Sequence, residues 1–519
     1  MNSVFPSYQL VVVAALCAQF SQFASAESPE YWLSSGREAV ARAKQVQPIA
    51  GRARNVILFV GDGMGIATVT AARILDGQNR GGNGEENSLS FERLPYVALS
   101  KTYSANQQTP DSAPTMSAMM SGVKTNDGFL SVNERAVRRD WKSVKGNETR
   151  TLLEQAEMRG MATGVVTTTR VTHATPAACY AHTVERDWEA DADQPVGANA
   201  DNFPDIARQL IEFPFGDGPE VVLGGGRGKF LPESTADPEY PLKHGERKDG
   251  RDLTREWLAA RADSAYVWNK AQFDALDTTR VKHVLGLFEP SHMRFEADRA
   301  KDAAGEPSLA EMTGKALDIL ARSAQGYFLM VEGGRIDHGH HAGNAYRALT
   351  DAIEFSRAVQ VAMTRTSESD TLVIVTADHS HTLTMAGYPK RGNPILGKVV
   401  EPGHAANDYA RDKLGLPYTT LSYANGPGYS GESEEQHSGV KRFPHGARGA
   451  KGITGGRPDL TNIDTTQPDY LQESTAPLET ETHGGEDVAI YARGPLAHLF
   501  RGVIEQHVIY HVMAEALGL

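Results

Sequence analysis

The chain has 519 residues, 40% hydrophobic and 23% charged, an ordinary globular composition with enough apolar residues for a large core. A net charge of −13 with pI near 5.7 argues against nucleic acid or an anionic membrane as a partner, and an anionic ligand would need a locally positive site such as bound dications provide. There are two cysteines, Cys17 and Cys179, too few to hold the fold by disulfides.

Residues 1–26 lack Asp, Glu, Lys and Arg, carry the apolar run Leu10 to Leu16 and end in Ala24-Ser25-Ala26, an A-x-A pattern. They read as a secretory leader cut after Ala26, with an uncleaved anchor as the alternative; Cys17 leaves with the leader. No other stretch has the length and apolarity of a membrane span, so no anchor is expected after cleavage and the mature chain is exported, to a periplasm or beyond. Glu30 to Val46 then reads as an exposed amphipathic arm, a candidate contact for a neighbouring subunit.

Arg54 to Val60 predicts a buried strand, broken by Gly61-Asp62-Gly63-Met64-Gly65 before a helix from Ile66 to Leu75. The spacing is not G-x-G-x-x-G, and an acid in such a turn would repel phosphate, so Asp62 reads as a metal ligand. Further on, Asp111-Ser112-Ala113-Pro114 opens a helix with Pro114 in its first turn. Ser112 at that N-terminus faces free N–H groups that favour an anion, or serves only as a cap. No G-x-S-x-G or Ser-His-Asp pattern activates it. A metal could, as zinc lowers the pKa of water from about 15.7 to about 7.

A helix from Leu152 to Arg159 precedes a strand over Thr163–Thr168, which leads to Thr175, and Glu220 to Leu223 is another strand. About 230–304 the pattern becomes irregular. After a helix from Leu309 to Arg322, Tyr327 to Val331 is a buried strand ending at Glu332-Gly333-Gly334. If 337–341 make one helical turn, Asp337 and His341 lie at i and i+4, able to share a cation, while His338 and His340 point elsewhere. Thr371 to Thr376 is a strand ending at Asp378-His379. A loop-rich insertion spans about 387–477, and His483 precedes a last strand, Val488 to Ala492.

Apolar strands alternating with helices predict an α/β fold: one large domain over 27–519 with a central, mostly parallel sheet, helices on both faces and the loop-rich insertion. Ligands of such sheets bind beyond the carboxyl ends of the strands, where Asp62, Thr175, Glu332, Asp337, Asp378 and His379 all fall.

The ordered motifs Asp62-Gly63, Asp111-Ser112-Ala113, Thr172-His-Ala-Thr175-Pro-Ala, Tyr180 to Arg186, Glu332 to His341, Thr376-Ala-Asp378-His379 and Glu481-Thr-His483-Gly-Gly-Glu-Asp487 span nearly the whole mature chain. They resemble those of the alkaline phosphatases. The resemblance implies a first zinc on Asp337, His341 and His483, a second on Asp62, Asp378 and His379, and a magnesium on Asp62, Thr175 and Glu332. It implies Ser112 as a transiently phosphorylated nucleophile, Arg186 as a fork on the phosphate, broad action on small phosphate monoesters and a homodimer. His173 and His338 stand where enterobacterial members carry Asp and Lys, as in the animal enzymes, and would lie near the magnesium. A calcium-like segment would use Glu239, the Phe288 carbonyl, Glu289 and Glu306. A sulfatase or phosphodiesterase of the wider superfamily, and a non-catalytic metal or phosphate binder, are the alternative readings.

Overall fold

Seven consecutive buried residues, Asn55–Gly61, form strand β1 in the middle of the fold, and the equally apolar Tyr327–Gly333 (β7) and Thr371–Thr376 (β8) lie on either side of it. Strands covered on both faces read as continuous apolar runs for this reason. The remaining strands are Tyr96–Lys101 (β2), Ala162–Arg170 (β3), Val221–Gly225 (β4), Ser264–Val267 (β5), His283–Leu287 (β6), Ser380–His381 (β9), Leu383–Met385 (β10), Leu421–Gly426 (β11), Ser474–Pro477 (β12), His483–Gly484 (β13), Val488–Arg493 (β14) and Val503–Glu505 (β15). This computed structural model describes residues 28–453 and 456–519, and the expected leader at 1–26 lies outside them.

The main sheet has ten strands in the order β15-β2-β14-β8-β1-β7-β3-β4-β6-β5. Every pairing is parallel except those of β14, which runs antiparallel to β8 and β2. Alternate residues of the central strands feed two cores. Ile57, Phe59, Leu329, Val331, Val373 and Val375 pack on the face covered by Ile66–Asn79, Leu309–Leu320 and Ala345–Arg365. Val56, Leu58, Val60, Phe328, Met330 and Ile374 face Ser112–Ser121, Leu152–Met158 and Val508–Leu517. Register aligns the strand ends, with Val60 opposite both Glu332 and Thr376, and Thr167 opposite Glu332. The carboxyl ends of β8, β1, β7 and β3 are therefore neighbours.

Residues 48–519 are one compact unit, and the N-terminal stretch is a separate one containing the helix Pro29–Gln45, none of whose residues is buried. No helix among the described residues is long and apolar enough to cross a membrane. The stretch 230–304 is a correction to the expectation of irregular chain. It contains the helices Leu253–Ala260 and Lys270–Asp274, and β5 and β6 extend the main sheet to its edge. These strands, of four and five residues, are too short to show a period between their polar flanks. The region 387–477 is mostly loop, with β11 and β12 joining β10 in a three-stranded sheet.

Candidate metal centre

The turn after β1 delivers Asp62, and the end of β8 delivers Asp378 and His379; all three are fully buried. Nε2 of His379 lies 3.4 Å from Asp62 Oδ1 and 3.2 Å from Asp378 Oδ2. Ser112 joins them, its hydroxyl 3.1 Å from His379 Nε2 and 3.4 Å from Asp62 Oδ1. The cap of the helix Ser112–Ser121 is Asp111, whose carboxylate accepts from the Ala113 amide, so the Ser112 side chain is free of capping. Gly63 makes the turn at φ +67°, and a Cβ there would stand 2.3 Å from the His381 ring.

Asp337 and His341 meet as their spacing predicts, on the helix Arg335–His341, with Asp337 Oδ1 3.3 Å from His341 Nε2. His483 arrives from far along the chain because β13 pairs with β9, setting His483 opposite His381; its Nε2 is 3.4 Å from Asp337 Oδ1. His381, which the sequence reading omitted, is bound most closely: Nε2 lies 2.7 Å from Asp337 Oδ1 and Nδ1 lies 2.5 Å from Glu481 Oε2. Two residues beyond His379 in an extended segment, it shares that residue's face, a signal that was readable.

Glu332, at the end of β7, accepts from the hydroxyls of Thr167 and Thr169 through Oε2. Asp62, His173 and Glu332 offer ligand atoms within 4.8 Å of one another. Arg186 donates to Asp111 and, at 2.8 Å, to His173 Nε2. His338 groups with His173 and His292, and His340 bonds Thr68 and Tyr423.

Charge decides what this cavity wants. Burial, then the Asp378 and Asp337 carboxylates, pushes Asp62 well above the usual carboxyl range, and burial pushes Glu332 up to about 7. Burial opposes ionisation of Asp337 too, but His341, His381 and His483 outweigh it and hold its carboxyl well below its ordinary value. Asp62 Oδ2, Asp378 Oδ2, Glu332 Oε1 and Thr175 Oγ1 are buried without a hydrogen-bond partner. Buried oxygens in such numbers are paired in native proteins or bound to cations, so this donor set fits divalent ions. Imidazole with carboxylate suits zinc, and oxygen ligands alone suit magnesium.

In the calcium-like segment, buried Arg227 pairs with Asp237 and Glu239, while Glu289 accepts from Tyr240 and faces Arg294 at 3.2 Å. Burial, then Glu289, pushes Glu306 up to about 9. Glu239 Oε1, Glu306 Oε2 and Asp302 Oδ2 lack partners, which adds Asp302 to the group the sequence singled out. Phe288 is fully buried at the end of β6.

The profile of the family described as alkaline phosphatase matches residues 53–519. The tissue-nonspecific alkaline phosphatase isozyme of Gallus gallus is 44% identical over 519 residues, covering 98% of this chain and 93% of its own. An alkaline phosphatase of Gadus morhua is 44% identical over 495 residues, covering 94% and 97%. Among solved structures, the alkaline phosphatase of Thermus thermophilus aligns with a TM-score of 0.63 at 25% identity, covering 92% of this chain and 94% of that one.

Proposed function

The chain belongs to the alkaline phosphatase family and is a phosphomonoester hydrolase, and from that premise we propose that Ser112 is its nucleophile, acting on a broad range of phosphate monoesters through a phosphoserine. The observation that carries this reading is the Ser112 hydroxyl, uncommitted as a cap and within 3.4 Å of both Asp62 Oδ1 and His379 Nε2.

Asp337, His341 and His483 would hold one zinc, Asp62, Asp378 and His379 a second, and Asp62, Thr175 and Glu332 a magnesium. When bound, these ions lower the pKa of the hydroxyl and of water and offset charge on the leaving oxygen. Ser112 Oγ forms a bond to phosphorus as the bond to the ester oxygen breaks, and the alcohol leaves. Water then attacks the same phosphorus, the P–Oγ bond breaks, and inorganic phosphate departs with Ser112 reprotonated. Arg186 grips two phosphate oxygens as a fork, held toward Ser112 by Asp111 and by His173. The free N–H groups of the helix that begins at Ser112 face the phosphoryl group. His381, held by Glu481, orients the Asp337 carboxylate.

The same reading has two copies of the chain pairing. Tyr31, Trp32 and Leu33 on the helix Pro29–Gln45 are 43%, 54% and 60% exposed, apolar surface that a second copy would cover. It has calcium on Glu239, the Phe288 carbonyl, Glu289 and Glu306, with Asp302, because three buried carboxylate oxygens there lack partners. It has the mature chain exported to a periplasm or beyond after residues 1–26 are removed. Metal analysis of the purified protein beside monoester hydrolysis by wild type and Ser112→Ala tests the centre: two zinc-class ions per chain with activity lost in the variant support it, and undiminished turnover by Ser112→Ala removes Ser112 from the reaction.

A further inference from the structure

Three imidazoles that the reaction does not use as ligands stand edge to edge beside Arg186. The ring centroids of His292 and His338 are 4.2 Å apart, and those of His173 lie 5.2 Å from His292 and 5.5 Å from His338. One nitrogen of each ring faces a guanidinium, and His292 Nδ1 also faces the Arg170 backbone N–H at 3.3 Å. Arg186 Nη2 is 2.8 Å from His173 Nε2, Arg170 Nη1 is 2.6 Å from His292 Nε2, and Arg335 Nη1 is 2.8 Å from His338 Nδ1. A guanidinium only donates, so in His173 and His338 that nitrogen is a lone pair and the ring proton sits on the other one, whereas both His292 nitrogens face N–H groups of Arg170. His173 and His338 therefore present N–H groups on their remaining nitrogens, and His173 Nδ1 is buried without a partner.

The charge balance agrees. Arg170 is fixed by both Glu189 oxygens, at 2.7 and 2.5 Å, and Arg186 by Asp111, but Arg335 has no carboxylate at ion-pair distance among the described residues and its Nε is unpartnered. Asp337, the carboxylate that acts on all three rings, is committed to His341, His381 and His483. Donor N–H groups beside the unpaired Arg335 guanidinium suit an anion. Arg170, His173, His292, Arg335 and His338 each keep part of their surface exposed.

We propose that His173 and His338, with Arg170 and Arg335, form a second anion subsite beside Arg186, built to hold a phosphate group, with His292 as the acceptor that positions Arg170 in it. The anion's being a phosphate rests on the reading of Arg186 given above; the site itself rests on the donor geometry. Its occupant is either the terminal group of a substrate carrying two linked phosphates or the product phosphate on its way out.

Calorimetric titration of the metal-loaded full chain with inorganic phosphate decides it. Wild type binds two phosphates per chain; His292→Ala binds one, with kcat/KM for p-nitrophenyl phosphate within about twofold of wild type. His292→Ala removes the acceptor that positions Arg170, and loss of one charge-assisted hydrogen bond from Arg170 to the anion corresponds to about tenfold. If the subsite serves a diphosphate substrate, kcat/KM for inorganic pyrophosphate falls by that factor in the variant; if it serves product, the inhibition constant for phosphate rises by it and pyrophosphate turnover is unchanged. One phosphate per wild-type chain, two in His292→Ala, or a zinc content that falls by one ion in the variant overturns the proposal. Should His292→Ala fold poorly, the wild-type count still decides, and His292→Asn repeats the comparison. Phosphate release that survives in Ser112→Ala sinks the active-site reading while leaving the phosphate count standing.

Discussion

His341 and His483 bring their Nε2 atoms to 3.1 Å, while their Nδ1 atoms face the backbone carbonyls of Glu481 at 2.5 Å and Pro110 at 2.7 Å. A carbonyl only accepts, so each Nδ1 carries its proton and the two Nε2 lone pairs converge. Converging lone pairs require positive charge between them. Chelation is expected to abolish activity and to lower the calorimetric Tm of the full chain, with zinc and magnesium restoring both. Ligand linkage sets the scale at about 4 kcal/mol when free ion is a thousandfold above Kd. An unchanged Tm and undiminished turnover after complete chelation would show that no cation joins the rings.

Ser112→Ala removes the atom that would bond to phosphorus and leaves the helix intact, because its cap is Asp111. Turnover of p-nitrophenyl phosphate is expected to fall by at least about a thousandfold with Tm nearly unchanged. Acid-quenched wild type incubated with labelled phosphate should carry label in the peptide containing Ser112. Label recovered from another peptide would move the nucleophile.

Gly63 is a backbone-level support of the centre. Its φ of +67° is strained for any residue with a Cβ, and that Cβ would meet His381 Cδ2 at 2.3 Å and Nε2 at 2.4 Å. Since His381 bonds Asp337, Gly63→Ala is expected to cost about 1–3 kcal/mol of stability and also to weaken zinc retention, read by metal analysis after dialysis. A variant that loses stability but keeps wild-type zinc would separate the turn from the metal centre.

Parts of this arrangement could be read before any coordinates, and the reason differs by residue. Asp337 and His341 lie on one helix, where a four-residue spacing is a contact, and Asp62 and Asp378 end long apolar strands that announce themselves. The pairing of β13 with β9 involves two residues a side, too few for any periodicity, so the contact of His483 with His381 was invisible. Asp302 joins Glu239 only through the loop geometry of 288–306, where spacing carries no rule. The His173, His292 and His338 group is assembled from three separate segments and has no local signature.

Far from the metal centre, Glu157 and Glu220 meet across the start of β3, where Glu157 Oε1 accepts from the Thr163 hydroxyl at 2.5 Å and Glu220 Oε2 from the Thr163 amide at 2.7 Å. They are 2% and 6% exposed. Burial pushes Glu157 up to about 7; burial, then Glu157 itself, pushes Glu220 up to about 8. Asp217, Lys282 and Arg261 also face the pair, Lys282 being drawn off by Asp217. Both acids titrate above their ordinary 4.5, so between there and about pH 8 the folded chain holds protons that the unfolded chain has released. Stability is therefore expected to fall as pH rises through that window, on the order of 3 kcal/mol for Glu157. Glu220→Gln removes one buried charge and should flatten the slope, making the variant the more stable chain at pH 8.5 and not at pH 5. Thermal unfolding of the metal-loaded protein at the two pH values measures it, and curves for wild type and Glu220→Gln that stay parallel would mean the pair does not hold protons in the fold.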